Sequence, residues 1–181
     1  MTRVIVTPAA LSDAPLAELK SWLAIRTPQE DALLEGRLRA ALELCERFTG
    51  LMPLEQLCEE VLPASRDWTP LAAAPVTVLG EVRRLDLHGA RRLLEENEYA
   101  VSIAADGEAR LRLLRAFPEE RLVARYTAGL ASDWDRLDAG LRQGIVRLAA
   151  HYYHERGLDA GISPPASVAA LWQPFRRLRL R

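Results

Sequence analysis

Cysteine occurs only twice in this chain, at Cys45 and Cys58, which excludes a disulfide framework and matches no zinc-ligand spacing. A reducing compartment is the expected setting. Histidine is confined to His88, His151 and His154, and lysine to Lys20. No run of about 18 apolar residues exists, so no transmembrane helix is expected. The opening Met1-Thr2-Arg3-Val4-Ile5-Val6-Thr7-Pro8 lacks the apolar stretch of a signal peptide. The chain is therefore expected to be soluble and cytoplasmic where it is made, with no membrane partner. The glycine patterns of dinucleotide folds, phosphate-binding loops and nucleophile elbows are missing, which removes the usual cradles for phosphate and for an activated serine. Excess charge is missing too: 24 basic against 25 acidic residues give a net charge of −1, so the molecule as a whole is no polyelectrolyte for nucleic acid or anionic lipid.

What remains is an ordinary globular composition. Of 181 residues, 49% are hydrophobic and 27% charged, with ten glycines and eleven prolines. At roughly 150 residues per domain this is about one domain, long enough to bury about 70% of its unfolded surface without staples. Apart from Lys20 every basic side chain is arginine. Arginine suits bidentate interface contacts, although a GC-rich coding sequence produces the same bias.

Helical spacing marks both ends of the chain. Asp13-Ala14-Pro15 before Leu16, Leu19 and Leu23 predicts a short first helix. Thr27-Pro28-Gln29-Glu30 reads as a capping box for a long helix with Leu34, Leu38, Ala41, Cys45 and Phe48 on one face. Gly50 is its expected stop, and Gly36 within it suggests close approach by another backbone. A second long helix carries Leu137, Leu141, Ile145, Leu148 and Tyr152, with Ser132, Asp133 and Asp135 as candidate caps and Gly157 as its end. Ala166 to Trp172 forms a last short helix. Between the long helices, prolines at 53, 63, 70 and 75 forbid long helices and alternation sets in. Val76 to Leu87 reads as a strand closed by a turn at His88-Gly89. Tyr99, Val101 and Ile103 alternate toward Asp106-Gly107, and Leu111 and Leu113 alternate back, as in a hairpin. Leu122, Ala124 and Tyr126 continue the period of two. The expected fold is mainly α: a small helical bundle of two long amphipathic helices with a β-rich insertion at about 54–130. In domain terms, 1–163 forms a single helical domain and 164–181 a C-terminal extension.

Few residues offer chemistry. His151 and His154 are three apart on one helical face, as a metal pair would be. The HExxH order and a third ligand are missing, however, and packing near a helix end explains them better. Cys45 belongs to an apolar stripe and reads as core. Asp133, Asp135 and Asp138 could gather around a divalent ion, but acidic residues before a helix are explained by caps and the helix dipole. No acid, base and stabiliser come together, so no catalytic residue, no metal and no cofactor are expected, and the chain is not expected to be an enzyme. The terminus differs. Trp172, Phe175, Leu178 and Leu180 interleave with Arg176, Arg177, Arg179 and Arg181. Aromatic and arginine side chains with no core of their own to fill are typical anchors in a partner's surface.

The order of these pieces resembles the head-tail connector (adaptor) proteins of long-tailed bacteriophages and of related gene transfer agents. The pieces are a leader ending in Thr7-Pro8, then Leu16-Ala17-Glu18-Leu19-Lys20, Glu30-Asp31-Ala32-Leu33-Leu34 and Glu46-Arg47-Phe48-Thr49-Gly50. Further along come Arg125-Tyr126-Thr127-Ala128-Gly129-Leu130, Ala150-His151-Tyr152-Tyr153-His154-Glu155-Arg156, and the run from Pro165 through Trp172-Gln173-Pro174-Phe175-Arg176. The stretch from Leu54 to about Leu114 matches least.

The resemblance implies a non-enzymatic structural protein of the virion neck, present in the host cytoplasm during assembly. It implies self-association into a ring with the twelvefold symmetry of the portal, a tail-side neck or stopper protein as second partner, and DNA passing through the lumen without sequence-specific binding. It places portal docking on Trp172, Phe175, Arg176 and Arg177. Two other readings stand beside it. One is a small helical DNA-binding or regulatory module using the Arg-rich C-terminus on phosphates; the other is a metal-dependent hydrolase built around His151 and His154.

Overall fold

A computed structural model describes residues 2–115, 121–155 and 163–177. The chain divides into two compact units, one of residues 1–9 with 55–129 and one of residues 10–54 with 130–181.

The first unit is built on a five-stranded sheet. Its strands are β1 (Thr2–Thr7), β2 (Gln56–Pro63), β4 (Val76–Leu85), β5 (Arg91–Leu93) and β8 (Arg121–Ala128). They lie in the order β1-β2-β8-β4-β5, every neighbouring pair antiparallel. The remaining strands, β3 (Thr69–Pro70), β6 (Tyr99–Ile103) and β7 (Ala109–Leu113), form a second antiparallel sheet ordered β3-β7-β6. β8 is the organising strand. Its register with β2 runs without interruption from Gln56 opposite Ala128 to Pro63 opposite Arg121. On its core-facing side Leu122, Ala124 and Tyr126 stand opposite Leu62, Glu60 and Cys58, and all six are buried. Ala109, Leu111 and Leu113 of β7 are buried as well, so alternation delivers one apolar face from each sheet to a shared core.

The second unit is helical. α1 (Asp13–Leu23), α2 (Asp31–Thr49), α3 (Ala139–His154) and α4 (Ala166–Trp172) supply its core from Leu19, Leu34, Leu38, Ala41, Leu44, Cys45, Leu141, Ile145, Leu148, Val168 and Trp172. The stripe expected along the first long helix is therefore the buried one, with Phe48 half-buried at its end. Gly50 ends α2 in the left-handed region at φ +75°, where its N–H donates to the Glu46 carbonyl.

The fold class departs from the sequence reading. Helix accounts for 34% and strand for 29% of the described residues, in two antiparallel sheets, so the fold is α+β and not a mainly α bundle with an insertion. Two physical causes hid part of the sheet. β1 comes from the segment read as a leader, and it gains its structure by pairing with residues more than fifty positions away, which no local period registers. In β2 the core-facing positions are Cys58, Glu60 and Leu62, so a carboxylate occupies the middle of the apolar alternation. β4 forms where the sequence read a strand, although its register shifts between Val76 and Val78 and between Leu79 and Val82.

Helix boundaries differ in detail. α2 starts after Glu30 with no side-chain cap hydrogen bond, so the expected capping box does not form. The Glu30 carboxylate instead accepts from the Tyr153 hydroxyl at 2.6 Å, a charge-assisted tertiary bond. α3 is capped by Asp138, whose carboxylate accepts from the Gly140 N–H at 2.7 Å, rather than by residues 132–135. Gly36 meets no atom within 4 Å of a built Cβ, so it marks no close approach. The expected stop at Gly157 lies outside the described residues.

Candidate functional site

The C-terminal segment was singled out by its interleaved aromatic and arginine residues, and the structure shows what each of them touches within the helical unit. α4 runs into a single 3-10 turn, Gln173–Phe175, permitted by Pro174. Trp172 is fully buried, the largest such side chain among the described residues. Its indole N–H donates to the Leu141 carbonyl at 3.4 Å, and its ring lies 6.0 Å from that of Phe48. Room for it is made by Gly144 of α3, since a Cβ at that position would overlap the indole. Trp172 thus has a core to fill, contrary to the sequence reading of this tail. The reason is that a glycine and a helix end far away in sequence build the pocket.

The rest of the segment lies nearer the surface. Phe175 is half-buried, its ring 3.4 Å from where a Gly140 Cβ would stand. Arg176 is exposed, with its guanidinium 5.5 Å from the Phe48 ring centre, within cation–π range. Arg177 donates its backbone N–H to the Thr49 carbonyl at 2.8 Å. Thr49 is itself fixed, its hydroxyl donating to the Cys45 carbonyl at 2.7 Å and accepting from the Leu51 N–H at 3.1 Å. The backbone of Arg177 is therefore held at the carbonyl end of α2. Leu178, Arg179, Leu180 and Arg181 lie outside the described residues.

The other candidates resolve into structural roles. His151 faces Glu155 at 3.1 Å one turn away on α3, while the His154 ring stands edge-on to Tyr153 at 5.5 Å. Among the described residues no group of three or more His, Cys, Asp or Glu side chains is placed to hold a metal ion. Asp133 accepts from the Ser132 hydroxyl at 2.9 Å and from the Arg136 N–H at 3.0 Å, and these bonds hold its carboxyl below the usual range. Asp135 pairs with Arg142 at 3.8 Å, and Asp138 caps α3. Three carboxylates with three separate partners leave none of them turned to a common ion. Burial, with a smaller contribution from the Glu46 charge, pushes the Cys45 thiol up to about 12. It stays protonated at neutral pH, as a core residue would.

One arrangement escaped the sequence. Glu60, fully buried on β2, accepts from the Tyr126 hydroxyl at 2.8 Å and from the Ala72 N–H at 2.9 Å. The Tyr126 hydroxyl in turn accepts from the Ala73 N–H at 3.4 Å. Burial first, and then the neighbouring Glu60 charge, push the Tyr126 phenol well above its ordinary value. A lone acidic residue at a core-facing strand position was the available signal. The network pins the loop that leads into β4, and so it supports the fold of the sheet unit.

Among the described residues, none of these groups is joined into a reactive constellation. No protein-family model matches the sequence, and no curated protein matches it. Solved structures do. A chain in the neck of an empty gene transfer agent particle, computed with C6 symmetry, superposes with a TM-score of 0.83 at 27% identity, over 100% of this chain and 98% of that one. The chain has the fold of a gene transfer agent neck protein. A chain in the virion of the native gene transfer agent particle matches with a TM-score of 0.78 at 28% identity, and one in the native neck computed with C12 symmetry with 0.79 at 27%, each again over 100% and 98% of the two chains. The likeness to gene transfer agent neck chains extends over the whole chain, including the stretch from Leu54 to about Leu114. No described helix is long and apolar enough to cross a membrane.

Proposed function

We propose that this chain is a structural protein of the virion neck, a head-tail connector that assembles as a ring beneath the portal, joins it to a tail-side neck or stopper protein and leaves a lumen for DNA. The full-length likeness to chains of gene transfer agent necks is the observation that carries this reading. Its work is recognition and closure, with no catalysed reaction. Near-zero net charge suits the role, because a strongly basic lumen would bind phosphates and retard the passing genome.

Portal docking is assigned to residues 164–181, through Phe175, Arg176 and Arg177 at the surface, with Trp172 as the anchor that fixes their positions. Truncation at 172 is a poor test of this, because it removes a core side chain together with the contact. The substitution Arg176→Ala changes an exposed side chain and leaves Trp172 in place, and it is expected to weaken binding to purified portal while moving the thermal transition no more than a surface change does. The neck assignment is tested by electron microscopy of purified particles carrying a labelled copy of the chain. Label at the head-tail junction is expected; particles that lack the protein, or carry it elsewhere, would overturn the reading.

A further inference from the structure

The exposed apolar residues of the five-stranded sheet gather at its two opposite edges. At one edge stands β1, paired on one side only, with Val4 57% exposed and Ile5 and Val6 also exposed. Because successive side chains point to opposite faces, this strand is uncovered on both faces as well as along its free edge. At the other edge β5 covers only Arg83–Leu85 of β4. There Leu93 of β5 is 57% exposed, Leu87 in the turn after β4 is 74% exposed, and Val78 on the uncovered part of β4 is exposed too. The arginines of β5 are neutralised within the chain, Arg91 by Glu59 at 2.9 Å and Arg92 by Glu98 at 2.7 Å. That edge therefore presents apolar side chains without a strong field of its own.

An edge strand with three successive exposed apolar residues, Val4, Ile5 and Val6, is a surface that natural proteins normally blunt with charge, proline or a cover. Here the only charged residue in the strand is Arg3 at its start. Two unlike apolar patches at opposite ends of one sheet also constrain what covers them. A two-fold contact between β1 strands would hide one patch and leave the other in water. A head-to-tail contact covers both and repeats from copy to copy, and such heterologous contacts close into rings. Four successive antiparallel steps separate β1 from β5, so the two strands run parallel, and a copy related by a small rotation would bring its β1 alongside β5 in the same direction.

We infer that the occupant of each edge is a second copy of this chain, with the β1 edge of one subunit against the β4–β5 edge of the next. This rests on the ring reading above for its closure, and it names the surfaces that make the ring. The test is disulfide cross-linking of Val4→Cys, Leu93→Cys and the double variant, in purified full-length protein at high concentration and in assembled particles. Both positions are exposed, so unchanged thermal melting is expected, and native Cys45 and Cys58 are buried and serve as silent controls. The expected result is a ladder of oligomers from the double variant, dimers only from the mixture of the two single variants, and monomer from each single variant alone. Dimers from Val4→Cys by itself would overturn the proposal in favour of a two-fold contact. Absence of cross-links in both settings would overturn it outright. The latter outcome, with the protein still present at the neck by labelling, would leave the neck reading standing and remove only the edge contact.

Discussion

The two units reach order by opposite means. In the helical unit the core is an apolar fit: Trp172 enters a space defined by Gly144, Phe48 and the Leu141 carbonyl, and its one polar atom is satisfied there. In the sheet unit the core contains a fully buried carboxylate, Glu60, held by a phenol and an amide. An apolar core gains stability with every methylene it excludes from water. A buried polar network contributes less net stability but penalises every arrangement that leaves one of its members unpaired. The helical unit is thus a clamp that fixes the C-terminal segment, and the sheet unit is a platform whose loop conformation is singled out by hydrogen bonding.

The largest effect should come from the clamp. Trp172→Ala removes a fully buried indole and is expected to cost about 3–5 kcal/mol, read as a shift in the urea midpoint. A loss under about 1 kcal/mol would mean that the segment is an appendage, and the contrast between the units would fail. Next comes the platform. Tyr126→Phe leaves Glu60 and the Ala73 amide each short of a partner, for an expected loss of about 1–3 kcal/mol. The same hydroxyl predicts a pH dependence. The folded state holds the Tyr126 proton more tightly than the unfolded chain does. Its contribution is complete below the ordinary tyrosine value of about 10 and is lost as pH rises beyond it. Denaturation midpoints between pH 8 and 11 should therefore fall more steeply for the natural protein than for Tyr126→Phe, and parallel curves would show that the phenol is not preferentially protonated in the fold. The smallest effect is local: Asp138→Ala removes the α3 cap and should cost about 1 kcal/mol by the same denaturant assay.

Legibility followed sequence distance. The apolar stripe from Leu34 to Cys45, the stop at Gly50, the hairpin of Tyr99–Ile103 with Ala109–Leu113, and the short helix Ala166–Trp172 are all written in residues within a turn or a strand of one another. The strand Thr2–Thr7, the carboxylate at Glu60 and the seat of Trp172 depend on partners tens to more than a hundred positions away, and no local period carries them. The same limit explains the capping box at Thr27-Glu30. Its pattern was sound, but Tyr153, remote in sequence, claimed the carboxylate. Of the residues proposed for docking, the sequence misjudged the depth of Trp172, because its burial is decided by the space over Gly144.

The path of the backbone between the units carries one more consequence. The chain begins in the sheet, leaves it near residue 9, returns near 55 and departs again near 129. During synthesis, β1 emerges from the ribosome long before β2, and α1 and α2 long before α3, so each half waits for material made later. No single cut yields a self-sufficient fragment, and expression of isolated halves should give insoluble material.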